Sequence, residues 1–211
     1  MRNWNALEDE LRRCTLLFDK SLLAYEGAAL RPDAMRIDDL TPMALYVLKD
    51  RLSEVLELHD ALMVEYCLGL WDLAGWMEFR YNSDAVQSIA PPVVEEYVED
   101  RTQDAGATAG LVDGLHRCMV ARRSGADHIQ AVVASGVRYP LLPLPATWDE
   151  VHVLCKRRFR FDSLEDFPDV SSLSSVEVGE DNYRYFFYRD MQTLGSRGKR
   201  DFHEFDEFRA P

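Results

Sequence analysis

Residues 41–81 show the longest helical pattern in the chain. Thr41 followed by Pro42 is a typical helix start, because a threonine hydroxyl can accept hydrogen bonds from free N–H groups and proline has no N–H to lose there. Apolar residues then recur every three or four positions, which places them on one side of a helix. They are Leu45, Leu48, Leu52, Val55, Leu62, Tyr66, Leu73 and Trp76. We expect this segment to form the central helix of the core.

The same periodicity predicts four further helices. The first starts at Asn3 or Asn5, carries apolar residues from Leu7 to Tyr25 and ends before Arg31-Pro32. A third helix opens at Pro91-Pro92, with Val94, Tyr97 and Val98 facing inward and Glu95, Glu96, Glu99 and Asp100 facing outward. A fourth spans residues 111–125, and a short fifth carries Ile129, Val132 and Val133 and stops at Gly136. The predicted fold class is therefore mainly α, a helical bundle over residues 1–136.

Proline and turn residues divide the remainder of the chain. Residues 137–146 contain three prolines and predict an extended, proline-rich strap over the bundle. Residues 147–211 are expected to form a smaller α/β subdomain, which begins with a capping box, Thr147-x-x-Glu150, and a helix running towards Phe159. A β-hairpin is predicted over 176–188, with a helix over 183–194 as the alternative. The tail carries Phe202, Phe205 and Phe208 at a spacing of three, which suits one face of a short helix.

The charge of the chain is strongly negative and unevenly distributed. The formal net charge is -13, and residues 1–100 carry 9 Lys and Arg against 20 Asp and Glu. Such a surface repels nucleic acid and anionic membranes and attracts basic proteins. The four cysteines are far apart, which is typical of thiols in a reducing compartment, and no apolar run reads as a signal peptide or membrane span. We therefore expect a cytoplasmic protein with a basic protein partner and without direct nucleic-acid binding.

Two acidic surfaces are the candidate partner-binding sites. On the long helix, Asp50, Glu54, Glu57, Glu65 and Asp72 fall within roughly a quarter of the circumference, opposite the apolar stripe. On the third helix, Glu95, Glu96 and Glu99 share the outward side. The phenylalanines of the tail would add apolar contacts, either with the partner or with the rest of the chain. The site residues predicted from the sequence are thus Asp50, Glu54, Glu57, Glu95, Glu96, Glu99, Phe202, Phe205 and Phe208.

The chain offers few patterns for catalysis or cofactor binding. It contains no glycine-rich phosphate loop. Asp113-x-x-His116 and Asp149-x-x-His152 have the spacing at which a helix can present two ligands to one metal ion, and Glu65 could contribute a further ligand. However, aspartate is shorter than the glutamate that di-metal sites in helical bundles use, and such pairs arise easily by chance. We predict no metal and no cofactor.

Arg123 and His128 form the alternative catalytic pair. With the four intervening residues 124–127, they resemble the R-x4-6-H motif of the HEPN ribonucleases. The resemblance implies a helical bundle that cuts RNA at a composite dimer site. Arg123 would then stabilise the developing phosphorane charge, and His128 would transfer the proton.

The leading functional hypothesis is a non-enzymatic acidic protein that occludes the cationic surface of a basic partner, as an inhibitor, an immunity protein, an antitoxin or an anti-defence protein does. Its carboxylates would set the association rate, and its aromatic residues would set the lifetime of the complex. The alternatives are the HEPN-like ribonuclease and a structural subunit of a larger assembly.

Overall fold

A computed structural model describes residues 4–16, 19–44, 46–80, 86–97, 108–141 and 147–155, together with residues 189 and 191. These residues form a mixed α/β domain. Its α-helices are α1 (Trp4–Arg12), α2 (Lys49–Tyr66) and α3 (Leu115–Arg123). Its strands are β1 (Ala29–Arg36), β2 (Leu40–Pro42), β3 (Tyr46–Leu48), β4 (Met77–Arg80), β5 (Val86–Ile89), β6 (Val93–Tyr97), β7 (Thr108–Asp113), β8 (His128–Ser135) and β9 (His152–Leu154). The predicted mainly α-helical bundle is therefore wrong.

A five-stranded sheet with the order β1-β8-β6-β7-β2 is the centre of the domain. Strand β8 pairs antiparallel with β1 and parallel with β6, while β7 pairs antiparallel with β6 and parallel with β2. The described residues also form two smaller sheets: β3 pairs with β9 in parallel, and β4 pairs with β5 antiparallel.

Helices cover both faces of the sheet. Neighbouring strand residues point to opposite faces, so Val93 packs in an apolar cluster with Leu7 and Leu11 of α1, while Val94 packs in a second cluster with residues of α2 and α3. Burial on both faces explains why the sequence pattern predicted helices where the structure has strands. Interior strands of this kind are apolar at nearly every position and resemble a buried helix in sequence.

Strands β6 and β8 replace the third and fifth predicted helices. In β8, residues 131–134 are all buried, and valine is a residue that favours strands. Pro91-Pro92 does not start a helix; the carbonyl of Pro92 instead accepts a hydrogen bond from Val132 N–H at 2.8 Å. The fourth predicted helix is correct only in part, because residues 108–113 form β7 and α3 begins after Gly114.

The predicted central helix over 41–81 consists of several elements. Thr41 and Pro42 belong to β2, and the helix itself starts only after β3. It ends at Tyr66, and the next residue, Cys67, adopts a left-handed conformation with φ of 51°. A 3-10 turn at Leu70–Asp72 and strand β4 follow. Among the apolar residues of the long pattern, Leu52, Leu62, Leu73 and Trp76 are buried, whereas Tyr66 is exposed.

The first predicted helix is much shorter than expected. It ends at Arg12, after which Thr15 forms an antiparallel bridge with Leu23. The turn between them is stabilised by Asp19, whose carboxylate accepts hydrogen bonds from both the backbone N–H and the hydroxyl of Ser21. These bonds lower the pKa of Asp19. After Arg12 the chain thus pairs with itself through Thr15 and Leu23 instead of continuing the helix to Tyr25.

The capping box at Thr147 and Glu150 is present, but it caps a single 3-10 turn, Trp148–Glu150. Strand β9 follows in place of the predicted helix towards Phe159. Trp148 anchors this segment, since its indole N–H donates to the carbonyl of Ile37 at 2.8 Å. The predicted hairpin at 176–188, residues 142–146 of the proline-rich strap and the phenylalanine tail lie outside the described residues, and the division of the chain into domains stays a prediction.

Candidate functional site

The outward face of α2 is the most distinctive surface of the described structure. We use this name for Asp50, Glu54, Leu56, Glu57, Asp60, Met63, Val64 and Glu65, which are all exposed. Large apolar side chains are exposed at five positions among the described residues: Leu23, Leu56, Met63, Val64 and Tyr66. Four of the five belong to α2, and Val64 and Tyr66 are 84% and 68% exposed. Apolar side chains concentrated on one helix and mixed with carboxylates are typical of an interaction surface.

The opposite face of α2 holds the helix to the domain. Leu52 and Leu62 are buried in two different apolar clusters. His59 lies on this inner face, where its Nδ1 accepts a hydrogen bond from Leu70 N–H at 3.1 Å and its ring stacks on Trp71. His59 is therefore a structural residue, and these contacts present the other face of α2 to solvent.

The N-terminal ends of α2 and α3 meet at a second polar location. His116, in the first turn of α3, accepts a hydrogen bond at Nε2 from the backbone N–H of Leu48, the N-cap residue of α2. Burial, together with the positive charge of Arg51, lowers the pKa of His116 to about 4. The imidazole is thus neutral at pH 7, and its acceptor nitrogen is already engaged. It joins two helices and is poorly placed to act as a general base.

Asp113 and Arg117 flank the same junction. Their side chains form an ion pair of 2.6 Å across the start of α3. Gly114 between them has a φ of 97°, and a Cβ at this position would lie 2.7 Å from the Cβ of Pro92. Only glycine suits this turn.

The acidic residues predicted as partner-binding occupy different environments. Asp50, Glu54 and Glu57 lie on the outward face of α2, and Glu54 forms an ion pair with Arg51. Glu65 and Asp72, the other two acidic residues of the long pattern, are also exposed.

Glu95 and Glu96, predicted to face outward together, point to opposite sides of β6. Glu95 is fully buried and pairs with Arg189, so it is not available to a partner in this structure. Glu96 is partly exposed and forms a two-bond ion pair with Arg31 of β1. The error has a simple physical origin: successive strand residues alternate between faces, whereas a helix would have kept both carboxylates on one side. Glu99, Phe202, Phe205 and Phe208 lie outside the described residues.

Arg123 and His128 lie at the two ends of the turn that joins α3 to β8. Both are exposed. Arg123 lines a shallow, open cleft together with Ile37, Asp38, Arg122, Gly125, Ala126 and Asp127. Because His128 begins a strand, the two residues do not share the helical setting that the HEPN resemblance implied. That resemblance required a helical bundle, which this fold does not provide.

The two Asp-x-x-His pairs do not form metal sites in the described structure. Asp113 is engaged by Arg117 and His116 by Leu48, while Asp149 belongs to a 3-10 turn and His152 to β9. Within the described ranges, no cluster of three or more His, Cys, Asp or Glu side chains is arranged to hold a metal ion. Nor is any helix in this part of the chain long and apolar enough to cross a membrane.

Sequence reasoning missed Arg189 and the junction at Gly114. Arg189 gave no signal, because its partner Glu95 is 94 residues away in sequence. Gly114 did give one, since a glycine directly between an apolar run and a helical pattern indicates a turn with positive φ.

Comparisons with known proteins give a family match and a distant structural similarity. No curated protein matches the chain. A crystal structure of protein Atu1540 from Agrobacterium tumefaciens aligns with a TM-score of 0.28 and 16% identity over 51% of this chain and 40% of the other. The model of the ParB CE domain matches residues 6–152. Because this match spans more than half of the 211 residues, the chain belongs to the ParB CE domain family.

Proposed function

We propose that this ParB CE domain protein is a non-enzymatic binding protein whose outward face of α2 docks onto a basic protein partner. One observation carries the proposal: three of the five exposed large apolar side chains of the described structure, those of Leu56, Met63 and Val64, lie on the outward face of α2 among its carboxylates. Exposed apolar side chains of this density are typical of docking surfaces. The surrounding carboxylates select a partner of opposite charge.

The acidic and the apolar residues of this surface have different roles in binding. Asp50, Glu54 and Glu57 lie along one side of the helix and steer a cationic partner towards it, which raises the association rate at low ionic strength. Leu56 and Met63 are seven residues apart and lie on the other side. Together with Val64 they supply the apolar contact that slows dissociation. The partner is therefore a protein with a basic surface that contains an apolar patch.

Site-specific photo-crosslinking in a lysate of the source organism tests this proposal. A benzophenone amino acid replaces Val64 in one sample and Asp9, an exposed residue of α1, in the other. We expect position 64 to capture a basic protein that position 9 does not capture. The yield should fall by about tenfold between low ionic strength and 0.5 M salt, because exposed charges are screened.

Two matched pairs of charge reversals distinguish the effect of this site on binding from the effect of the net charge. Glu57→Lys with Asp60→Lys should reduce the association rate with the captured protein by about tenfold. Asp9→Lys with Glu26→Lys changes the net charge equally but lies outside α2, and it should have a much smaller effect. Equal effects of the two pairs, or capture that is insensitive to salt, would contradict a docking site on α2.

A further inference from the structure

Glu95 and Arg189 form an ion pair in the centre of the domain. Both side chains are fully buried. Arg189 Nε donates to Glu95 Oε1 at 2.9 Å, and its Nη2 donates to Oε2 at 3.1 Å. Burial alone would lower the pKa of Arg189, but the negative charge of Glu95 outweighs this effect and keeps the guanidinium charged.

The pair also binds the segment Tyr139–Leu141. The backbone N–H of Leu141 donates to Glu95 at 3.0 Å, while the carbonyl of Tyr139 accepts a hydrogen bond from Arg189. Tyr97 completes the network, since its hydroxyl contacts both Glu95 and the carbonyl of Leu141. One buried charge pair thus connects β6, this segment and the C-terminal part of the chain.

The residues around Arg189 are packed into the same core. Its guanidinium lies 5.7 Å from the ring centre of Tyr25, and its backbone forms an antiparallel bridge with Leu16. Two residues later, Met191 is buried, and its sulfur lies 3.8 Å from the thiol of Cys14. Sheet, N-terminal segment and C-terminal segment therefore share one apolar cluster.

We propose that Arg189–Met191 is an intramolecular latch, so that the folding unit of this protein extends well beyond residues 6–152, the part that matches the family. Without Arg189, the carboxylate of Glu95 is left in a buried position with no opposite charge. A buried charge that loses its partner is strongly destabilising, so the surrounding segments rearrange to let water reach it. Release of the latch uncovers Cys14, which Met191 contacts.

Thiol reactivity in the full-length protein measures the latch directly. Cys67 and Cys155 are exposed, whereas Cys14 and Cys118 are buried in different apolar clusters. A background with Cys67→Asn and Cys155→Ser leaves the two buried thiols as reporters. Asparagine suits position 67, because it tolerates the positive φ found there.

In this background, Arg189→Met should accelerate the modification of Cys14 by a thiol reagent by about tenfold or more, while Cys118 remains protected. Adding Glu95→Gln should restore part of the protection, because the neutral amide removes the unpaired charge and can still accept the hydrogen bond of Leu141. Arg138→Met, a change of an exposed arginine near the same segment, is the control and should leave both thiols protected.

Two results would overturn the latch. Cys14 could stay as protected after Arg189→Met as in the background, which would mean that Arg189 does not hold this region. Alternatively, Cys14 and Cys118 could become reactive at equal rates, which would mean that the ion pair supports the whole fold rather than a local segment.

Discussion

The outward face of α2 and the cluster around Glu95 contain the same residue types in opposite surroundings. Glu57 on α2 is exposed to water, whereas Glu95 is 0% exposed and bound to Arg189. An exposed carboxylate contributes little to stability, and its charge acts on approaching charges over several ångströms. A buried one is tied to its partner, and its removal disrupts the core. Burial, and not residue type, therefore decides whether a carboxylate serves binding or folding in this protein.

The two regions should differ most in the loss of stability that follows when one carboxylate in each is truncated. Glu95→Ala leaves the charge of Arg189 buried without its partner and should lower the free energy of unfolding by about 3–5 kcal/mol. Glu57→Ala should change it by less than about 0.5 kcal/mol. Urea unfolding followed by circular dichroism measures both. A loss for Glu95→Ala as small as that for Glu57→Ala would remove the distinction between the two regions.

Apolar residues on the two faces of α2 allow a second comparison between a buried and an exposed position. Leu62 is 4% exposed and Val64 is 84% exposed, although they are only two residues apart. Leu62→Ala should cost about 3 kcal/mol through lost burial and the cavity left behind. Val64→Ala should leave the stability unchanged within about 0.5 kcal/mol. If Val64→Ala proves as costly as Leu62→Ala, another part of the chain covers the outward face, and the proposed docking site does not exist.

His116, at the junction of α2 and α3, is only partly exposed, and it should make the stability of the protein depend on pH. Burial lowers the pKa of His116 to about 4 in the folded protein, below the value of about 6.5 expected when unfolded. The folded state thus favours the neutral imidazole. Its contribution to stability is complete above pH 6.5 and is lost as the pH falls towards 4.

Between pH 7.5 and 4.5 this linkage should lower the free energy of unfolding by roughly 2 kcal/mol. His116→Gln keeps an acceptor for Leu48 N–H but does not titrate. The fall in the free energy of unfolding between pH 7.5 and 4.5 should therefore be smaller in this variant by roughly 2 kcal/mol. Unfolding midpoints of both proteins at several pH values give the comparison. Parallel pH profiles would show that His116 does not titrate with folding.

Part of the candidate site was predictable from the sequence. The region of α2 was identified as helical with acidic residues opposite its apolar stripe, because a 3.6-residue period is a local property of the chain. The capping box of Thr147 and Glu150 was also predictable, since its bonds connect residues three positions apart. The exposed apolar residues Met63 and Val64 were not predicted as binding residues, because large apolar side chains are ordinarily expected in the core.

The remainder depended on contacts that local patterns do not contain. A run such as Val93–Val94 is equally apolar in a buried helix and in an interior strand, and only the pairing of β6 with β7 and β8 decides between them. The same applies to Glu95. Its sequence neighbours suggest a surface carboxylate, and only Arg189, brought to it from the far end of the chain, makes its burial energetically acceptable.

The amino-acid sequence by itself determined the local features: the negative charge, the helical region of α2, and the turns at Gly114 and Thr147. The tertiary structure decided which apolar segments became strands, which side of β6 each carboxylate occupies and where Arg189 is placed. The physical reason is the range of the interactions. Helix periodicity and capping act over a few residues, whereas sheet pairing and buried ion pairs join residues that are distant in the chain and become neighbours only in the folded protein.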